Sequence, residues 1–545
     1  HRLPRFVALI ALTALAATAS AQWAAPPYPI PVHHHRAFIS GRPSSPGSTG
    51  SPGSASTAGY WSELNREPSY PPLFYGATNP LLLTDGSVLI EDTGSGNFAR
   101  LIPDENGSYI NGSWGGVNGM DFSYNPNIHS SAVLADGRVL IEGGEYNGQQ
   151  MGDIYPVQTT LGALYDPVAD AWTPVTPPAG WSTLGNGPSV ILADGTYMQG
   201  DCCTNTVALL NAKTLTWTAT GSSNSTENEH QGWTLLPSGL VLTVDAYVGN
   251  YQAQGTGSQV YFPNTRSWHS AGSTGVQLWD SQASCGAPDP TYEIGAGILL
   301  PSGLVFYAGA NTCPGGTGAT AIFNPSTFRW IKGPPLPSGV DMASGPAAVE
   351  PNGNILLLTS PGIYQGPAKF LEWNGRSLSS ASASGFAPDD FSAAGMMLVL
   401  PTGQILLTDL TLDVEIYTPP AGYRQDWAPV IHNIQGATFH GGTWVLNSGQ
   451  TYKITGIRFN GMTQGAAYGS GVEQSATNYP LVRITNGATH HVFYCRTHDH
   501  SSMAVASQFP VATSFDVSST IETGPAKLEV VTNGIPSQAV SVEVY

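Results

Sequence analysis

"LLLTDGSVLI", residues 81–90, is two short apolar runs joined by an Asp-Gly turn, and the chain repeats that pattern six more times. The copies are "AVLADGRVLI" (132–141), "VILADGTYMQ" (190–199), "TLLPSGLVLT" (234–243), "ILLPSGLVFY" (298–307), "AVEPNGNILL" (348–357) and "LVLPTGQILL" (398–407). Runs this short and this rich in Val, Ile and Leu read as strands, and glycine supplies the positive φ that a tight hairpin requires. The turn glycines Gly86, Gly137, Gly195, Gly239, Gly303, Gly353 and Gly403 lie 51, 58, 44, 64, 50 and 50 residues apart.

A second signal keeps the same phase. An apolar residue is followed seven positions later by tryptophan at Tyr165/Trp172, Leu210/Trp217, Tyr261/Trp268 and Phe323/Trp330, each pair enclosing a polar turn. Each unit therefore contains an inner and an outer hairpin. Four-stranded units of about 50 residues are the period of kelch-type β-propellers. "VLIEGGEYNG" (139–148) also carries the paired glycines, Gly143 and Gly144, that kelch repeats place after their second strand. The reading is all-β: a seven-bladed kelch-type propeller over 59–425. The period then stops. Alternating strands such as "TYKITGIRF", "LVRIT", "HVFYC" and "AKLEVVT" predict an immunoglobulin-like sandwich over 426–545.

The flanking sequence and composition speak to compartment. Residues 1–21 pair two arginines with a short apolar run ending in Ala-Ser-Ala, the pattern of a cleaved signal peptide. Residues 22–58 form a Pro/Ser/Gly-rich linker that cannot bury enough apolar surface to fold; His33, His34 and His35 within it read as a solvated cluster. No later run reaches the length of a membrane span, so the mature chain is expected to lack a transmembrane segment and to be secreted or extracytoplasmic, in a periplasm or at a cell surface. A formal charge of −18 with only 10% charged residues argues against nucleic acid and anionic membranes. Five cysteines suit an oxidising compartment. Cys285 and Cys313 are candidates for a bridge, the adjacent Cys202 and Cys203 for a vicinal disulfide or for separate bonds, and Cys495 for the leftover thiol, as a ligand or a small buried hydrophobe.

Cys495 opens "CRTHDHSSM" (495–503), the most chemically loaded stretch of the chain. A signal peptide, seven kelch units and a C-terminal sandwich carrying Thr497-His498 together resemble the galactose oxidase and glyoxal oxidase family of copper radical oxidases, over nearly the whole mature chain. The resemblance implies a sandwich hairpin running up the propeller axis, with His498 as a copper ligand. It also implies a Tyr-His pair, a second tyrosine and a cysteine cross-linked to it, at the ends of inner strands. Those places hold Ala393, Ala394, Asn186 and, for the cysteine, Ile128. Without the phenol–thioether there is no protein radical, so the resemblance carries the fold but not galactose oxidase activity.

Other polar residues gather where the inner strands begin. Asn127, Asn186, Glu229, Tyr292, Glu293, Asp341 and Asp390 would converge on one central mouth and are the candidate ligand-binding residues. The expected ligand is an extracellular glycan or small molecule. His498 and His500, two residues apart on an extended segment, would face the same way. With His129 and His230 they are the candidate ligands of a copper or other first-row transition-metal ion. The same groups could instead bond to channel water and neighbouring backbone. Two classes of function stay open: a glycan-binding propeller, or a metal-dependent oxidoreductase or hydrolase centred on His498.

Overall fold

The computed structural model describes residues 58–545 except 69–72, 121–122, 149–157, 245–255, 281–291, 311–316, 386 and 470–474. The stretch read as a signal peptide, nearly all of the linker, and Cys285 and Cys313 lie outside the described residues.

Seven antiparallel sheets are built on the repeated turns. Their inner strands are Ala77–Leu82, Ser130–Val133, Ser189–Ile191, Thr234–Leu235, Gly297–Leu299, Ala347–Val349 and Met396–Val399. Each lies beside the next, and Met396–Val399 returns to Ala77–Leu82, closing the ring. All seven turn glycines have φ between +81° and +93°, the left-handed region that the sequence pattern demanded. Closure uses the start of the described chain: Tyr60–Glu63 pairs with Val414–Thr418 as the outermost strand of the seventh blade.

The tryptophan signal is a cross-strand pair. Tyr165 lies opposite Trp172, Leu210 opposite Trp217, Tyr261 opposite Trp268 and Phe323 opposite Trp330. Three of the four indoles also bond to the neighbouring blade, whereas the buried N–H of Trp268 has no partner among the described residues. Trp172 donates to the carbonyl of Asn118 at 2.7 Å, Trp217 to that of Thr176 at 2.7 Å, and Trp330 to Ser258 Oγ at 2.8 Å.

Residues beyond 428 form two further sheets. Val430–Gln435, Thr451–Ile457, Val511–Asp516 and Thr497–His498 make one; Thr443–Leu446, Val540–Val544, Gly524–Thr532, Leu481–Asn486 and Val492–Cys495 run through the other. Alternate residues, including Ile454, Phe515, Val482, Leu528 and Val542, interdigitate in a core of their own. Cys495 belongs to that core, and burial pushes its thiol up to about 12. It is a small hydrophobe here.

The sandwich docks on the propeller face that carries the glycine turns, and it does so through "CRTHDHSSM". The amides of Thr497, His500 and Met503 donate to the carbonyls of Thr84, Ala135 and Ala193, at 3.0, 2.9 and 2.9 Å. Those three carbonyls sit at one equivalent position, two residues before Gly86, Gly137 and Gly195. This strap thus meets one blade every third residue, and Asp499 at φ +53° breaks its extended run, so His498 and His500 do not share a face as an unbroken strand would place them. The expectation that this segment is a hairpin tip aimed at the axis is corrected. Turn carbonyls covered by a second domain need donors, and the strap supplies them.

A different segment enters the axis. Ala466–Ala467 pairs with Ala347 and Ala348 as a fifth strand of the sixth blade and lies beside the inner strands of the fifth and seventh. Tyr468 beyond it donates its hydroxyl to the carbonyl of Ala393 at 2.9 Å. Alanine side chains are small enough for this crowded centre, where three inner strands converge.

Candidate functional site

Each inner strand runs from the mouth to its glycine turn, so residues just before the strands lie at the end away from the sandwich. His230 is the centre of what gathers there. Its Nδ1 is 3.1 Å from Glu293 Oε1 and its Nε2 is 3.8 Å from Glu229 Oε2, so each ring nitrogen faces a carboxylate. Burial disfavours the imidazolium, but Glu293, Glu229 and Glu145 outweigh it and push His230 up to about 10. At neutral pH this is a cation held among acids.

Glu293 also accepts the Ser344 hydroxyl, tying the fifth blade to the sixth. Glu145 enters from the second blade: its Oε2 accepts Asn186 Nδ2 at 3.3 Å. Burial first, then the charge of Glu229, raise Glu145 to about 7, against the opposing pull of His230 and the Tyr146 hydroxyl. Tyr292 stacks on Trp279 with ring centroids 5.4 Å apart. His230, Tyr292 and Ser344 all have left-handed backbone, φ +58°, +59° and +51°. Non-glycine residues adopt that conformation at a cost of order 1 kcal/mol, which the surrounding contacts must offset.

Of the residues expected to bind ligand, Asn186, Glu229, Tyr292 and Glu293 come together at this mouth. Asn127 approaches through its backbone, paired with Tyr146. Asp341 is buried and bridged to Ser360, with its Oδ1 accepting the amide of Ala343 at 3.4 Å. Asp390 belongs to a separate acidic group with Asp409, Asp413 and Glu415, where burial and those charges raise it to about 8. The sequence reading missed Glu145, Tyr146 and Ser344. A signal for the first two existed: they directly follow the kelch glycines, Gly143 at φ +77° and Gly144 at φ +126°, which turn the chain.

The four candidate metal histidines do not converge. His129 is fully buried, with Nε2 2.7 Å from Glu91 Oε2 and Nδ1 3.2 Å from the carbonyl of Ser130. His230 has the partners given above. His498 and His500 lie at the opposite, turn-bearing face. Both ring nitrogens of His498 face carboxylates, Asp499 Oδ2 at 2.7 Å and Asp516 Oδ1 at 3.3 Å. His500 bonds through Nδ1 to Thr513 Oγ1 at 2.8 Å, and burial pushes it down to about 3, leaving the ring neutral.

The fit to copper follows from these positions. Ala393 and Ala394 offer no donor side chain, the Asn186 amide is taken by Glu145, and His498 faces the sandwich's own acids. The residues present do not form the copper-radical set. Among the described residues, only Asp201, Cys202 and Cys203 bring three ligand atoms of the metal-binding types close together, and the two sulfurs are joined in a disulfide.

No protein-family model matches the chain, and no curated protein sequence does. Solved structures similar to it include a fungal alcohol oxidase of the AA5 family in complex with copper (13% identity, 89% of this chain and 98% of that one, TM-score 0.45). A streptogramin B lyase is similar at 10% identity, over 67% of this chain and 100% of that one, with a TM-score of 0.44. A virginiamycin B lyase from Staphylococcus aureus with quinupristin follows at 9% identity, 66% and 99% coverage, and a TM-score of 0.44. No described helix is long and apolar enough to cross a membrane.

Proposed function

We propose that this chain is an exported binding protein whose propeller mouth takes a hydroxyl-rich extracellular ligand, a glycan. The observation that carries the reading is the convergence of Glu145, Asn186, Glu229, His230 and Glu293 from separate blades onto one part-exposed centre. Carboxylates accept sugar hydroxyls in charge-assisted bonds, and the stacked Tyr292 offers an aromatic neighbour. The domain order that goes with it is a signal peptide (1–21), a linker (22–58), the propeller (59–425) and an immunoglobulin-like domain (426–545) that braces the turn face. Copper-radical chemistry has no place in this reading.

A glycan array followed by calorimetry on the hits tests it. The wild type should bind a defined glycan, and Glu229→Gln and Glu293→Gln should each weaken it at least tenfold. Absence of any glycan ligand, or unchanged affinity in both variants, overturns the proposal. A second reading is favoured by Glu145 alone. A carboxyl raised to about 7 by burial and by the charge of Glu229 suits general acid–base cleavage of the bound sugar. Release of reducing ends that Glu145→Gln abolishes would establish it.

A further inference from the structure

We propose that the Cys202–Cys203 disulfide is a reducible site that holds the mouth in shape, and that a dithiol reductant acting on it loosens Glu229 and His230. The inference rests on the mouth being the binding site, but its test needs no ligand.

The bond joins adjacent residues, so it closes a ring through the peptide group between them. The carbonyl of Cys202 cannot turn independently of the two side chains. That carbonyl is the anchor of the mouth. It accepts the amide of Glu229, the residue before His230, at 2.9 Å, and shares the amide of Asn228, at 3.1 Å, with the carbonyl of Thr204 at 3.0 Å. On its other side the Cys202 amide donates to the carbonyl of Leu184 at 3.1 Å, two residues before Asn186. Cys202 Sγ lies 3.4 Å from Gln158 Oε1, and the Gln158 amide holds the carbonyl of Glu145 at 3.1 Å. Three mouth residues from three different blade connections therefore depend on what surrounds one disulfide.

Access is one-sided. Cys202 is fully buried and Cys203 is part-exposed. A reductant thiolate would attack Cys203 Sγ, forming a mixed disulfide and releasing the Cys202 thiolate, which takes up a proton. The reductant's second thiol then attacks the mixed disulfide. It leaves Cys203 as a thiol and the reductant as a cyclic disulfide, a transfer of two electrons and two protons. The ring then no longer locks the peptide plane, which keeps only the 3.3 Å bond from the Cys203 amide to Asp201 Oδ1, and the Cys202 carbonyl no longer has to face Asn228 and Glu229.

Amide hydrogen exchange by NMR tests this on the intact protein, oxidised, reduced with dithiothreitol, and re-oxidised. Reduction should speed exchange of the Glu229 amide at least tenfold, that of Asn228 less because the Thr204 carbonyl also holds it, and shift the His230 ring resonances. The Gly239 amide, bonded to Leu236 in the same blade region at 2.8 Å, should not change. Re-oxidation should restore all signals, and Cys202→Ser/Cys203→Ser should reproduce the reduced pattern. Equal protection of Glu229 in both states overturns the inference, as does acceleration that includes Gly239, which would mean general unfolding. If glycan binding fails but these amides respond, the proposed function falls and the disulfide's role stands.

Discussion

Replacing Glu350 with glutamine should abolish one defined share of the stability loss between acid and mildly alkaline pH. Glu350 stands at the start of the sixth-blade turn and is 1% exposed. Its Oε2 accepts Asn352 Nδ2 at 2.8 Å, while Oε1 has no partner among the described atoms. Burial, then the charge of Glu372, push its carboxyl from 4.5 up to about 8. A raised acid favours the folded state only while it keeps its proton. The contribution of Glu350 to stability is therefore full below about pH 4.5 and falls as pH climbs to 8. Each pH unit between those two values costs about 1.4 kcal/mol, so the loss reaches about 4–5 kcal/mol at pH 8. Glutamine has the same shape and no proton to lose, so wild type and Glu350→Gln should be close at pH 4.5 and separate by that amount at pH 8. Urea titrations at pH 4.5, 6 and 8, followed by tryptophan fluorescence, read the difference. Trp427 packs over the neighbouring Gly353 and reports this very turn. Parallel stability profiles for the two proteins would refute the reasoning.

Further outcomes follow from the same contacts. Glu293→Gln should lower the His230 titration by at least one pH unit from about 10, measured by NMR of the ring; an unmoved midpoint would show that Glu293 is not its main support. Because that raised affinity stabilises the fold below about pH 6.5 and is lost through pH 10, the variant should also melt earlier at neutral pH. Gly86→Ala should cost about 1–3 kcal/mol in thermal or urea unfolding, since its Cβ would lie 2.5 Å from Tyr494 Cγ at φ +81°; a neutral result would mean the sandwich does not press on this turn. Asn460→Ala should cost a similar amount, about 1–3 kcal/mol, because the side-chain amide donates to the carbonyls of Asn478 at 3.1 Å and Ser502 at 2.8 Å. Unchanged unfolding in that variant would show that these two bonds do not hold the three segments together.

The blades were legible because they are local. An apolar run, a glycine turn and a second run encode a hairpin within ten residues, and a tryptophan seven positions after its partner encodes the next. Seven copies then leave a closed ring as the way to bury both faces of every sheet. Asn186, Glu229, Tyr292 and Glu293 were reachable for the same reason: their offset from the turn glycines puts them at one end of the ring. What "CRTHDHSSM" touches was not encoded in that way. Its histidines signal metal chemistry by type alone, yet their surroundings come from Asp499, Asp516 and Thr513 within the sandwich and from a turn carbonyl hundreds of residues away. Which segment fills the axis was likewise settled by tertiary pairing, with Ala466–Ala467 joining the sixth blade as its fifth strand. Periodicity records the bonds a chain makes with its near neighbours; the partners of a buried polar group are chosen only when distant segments close around it.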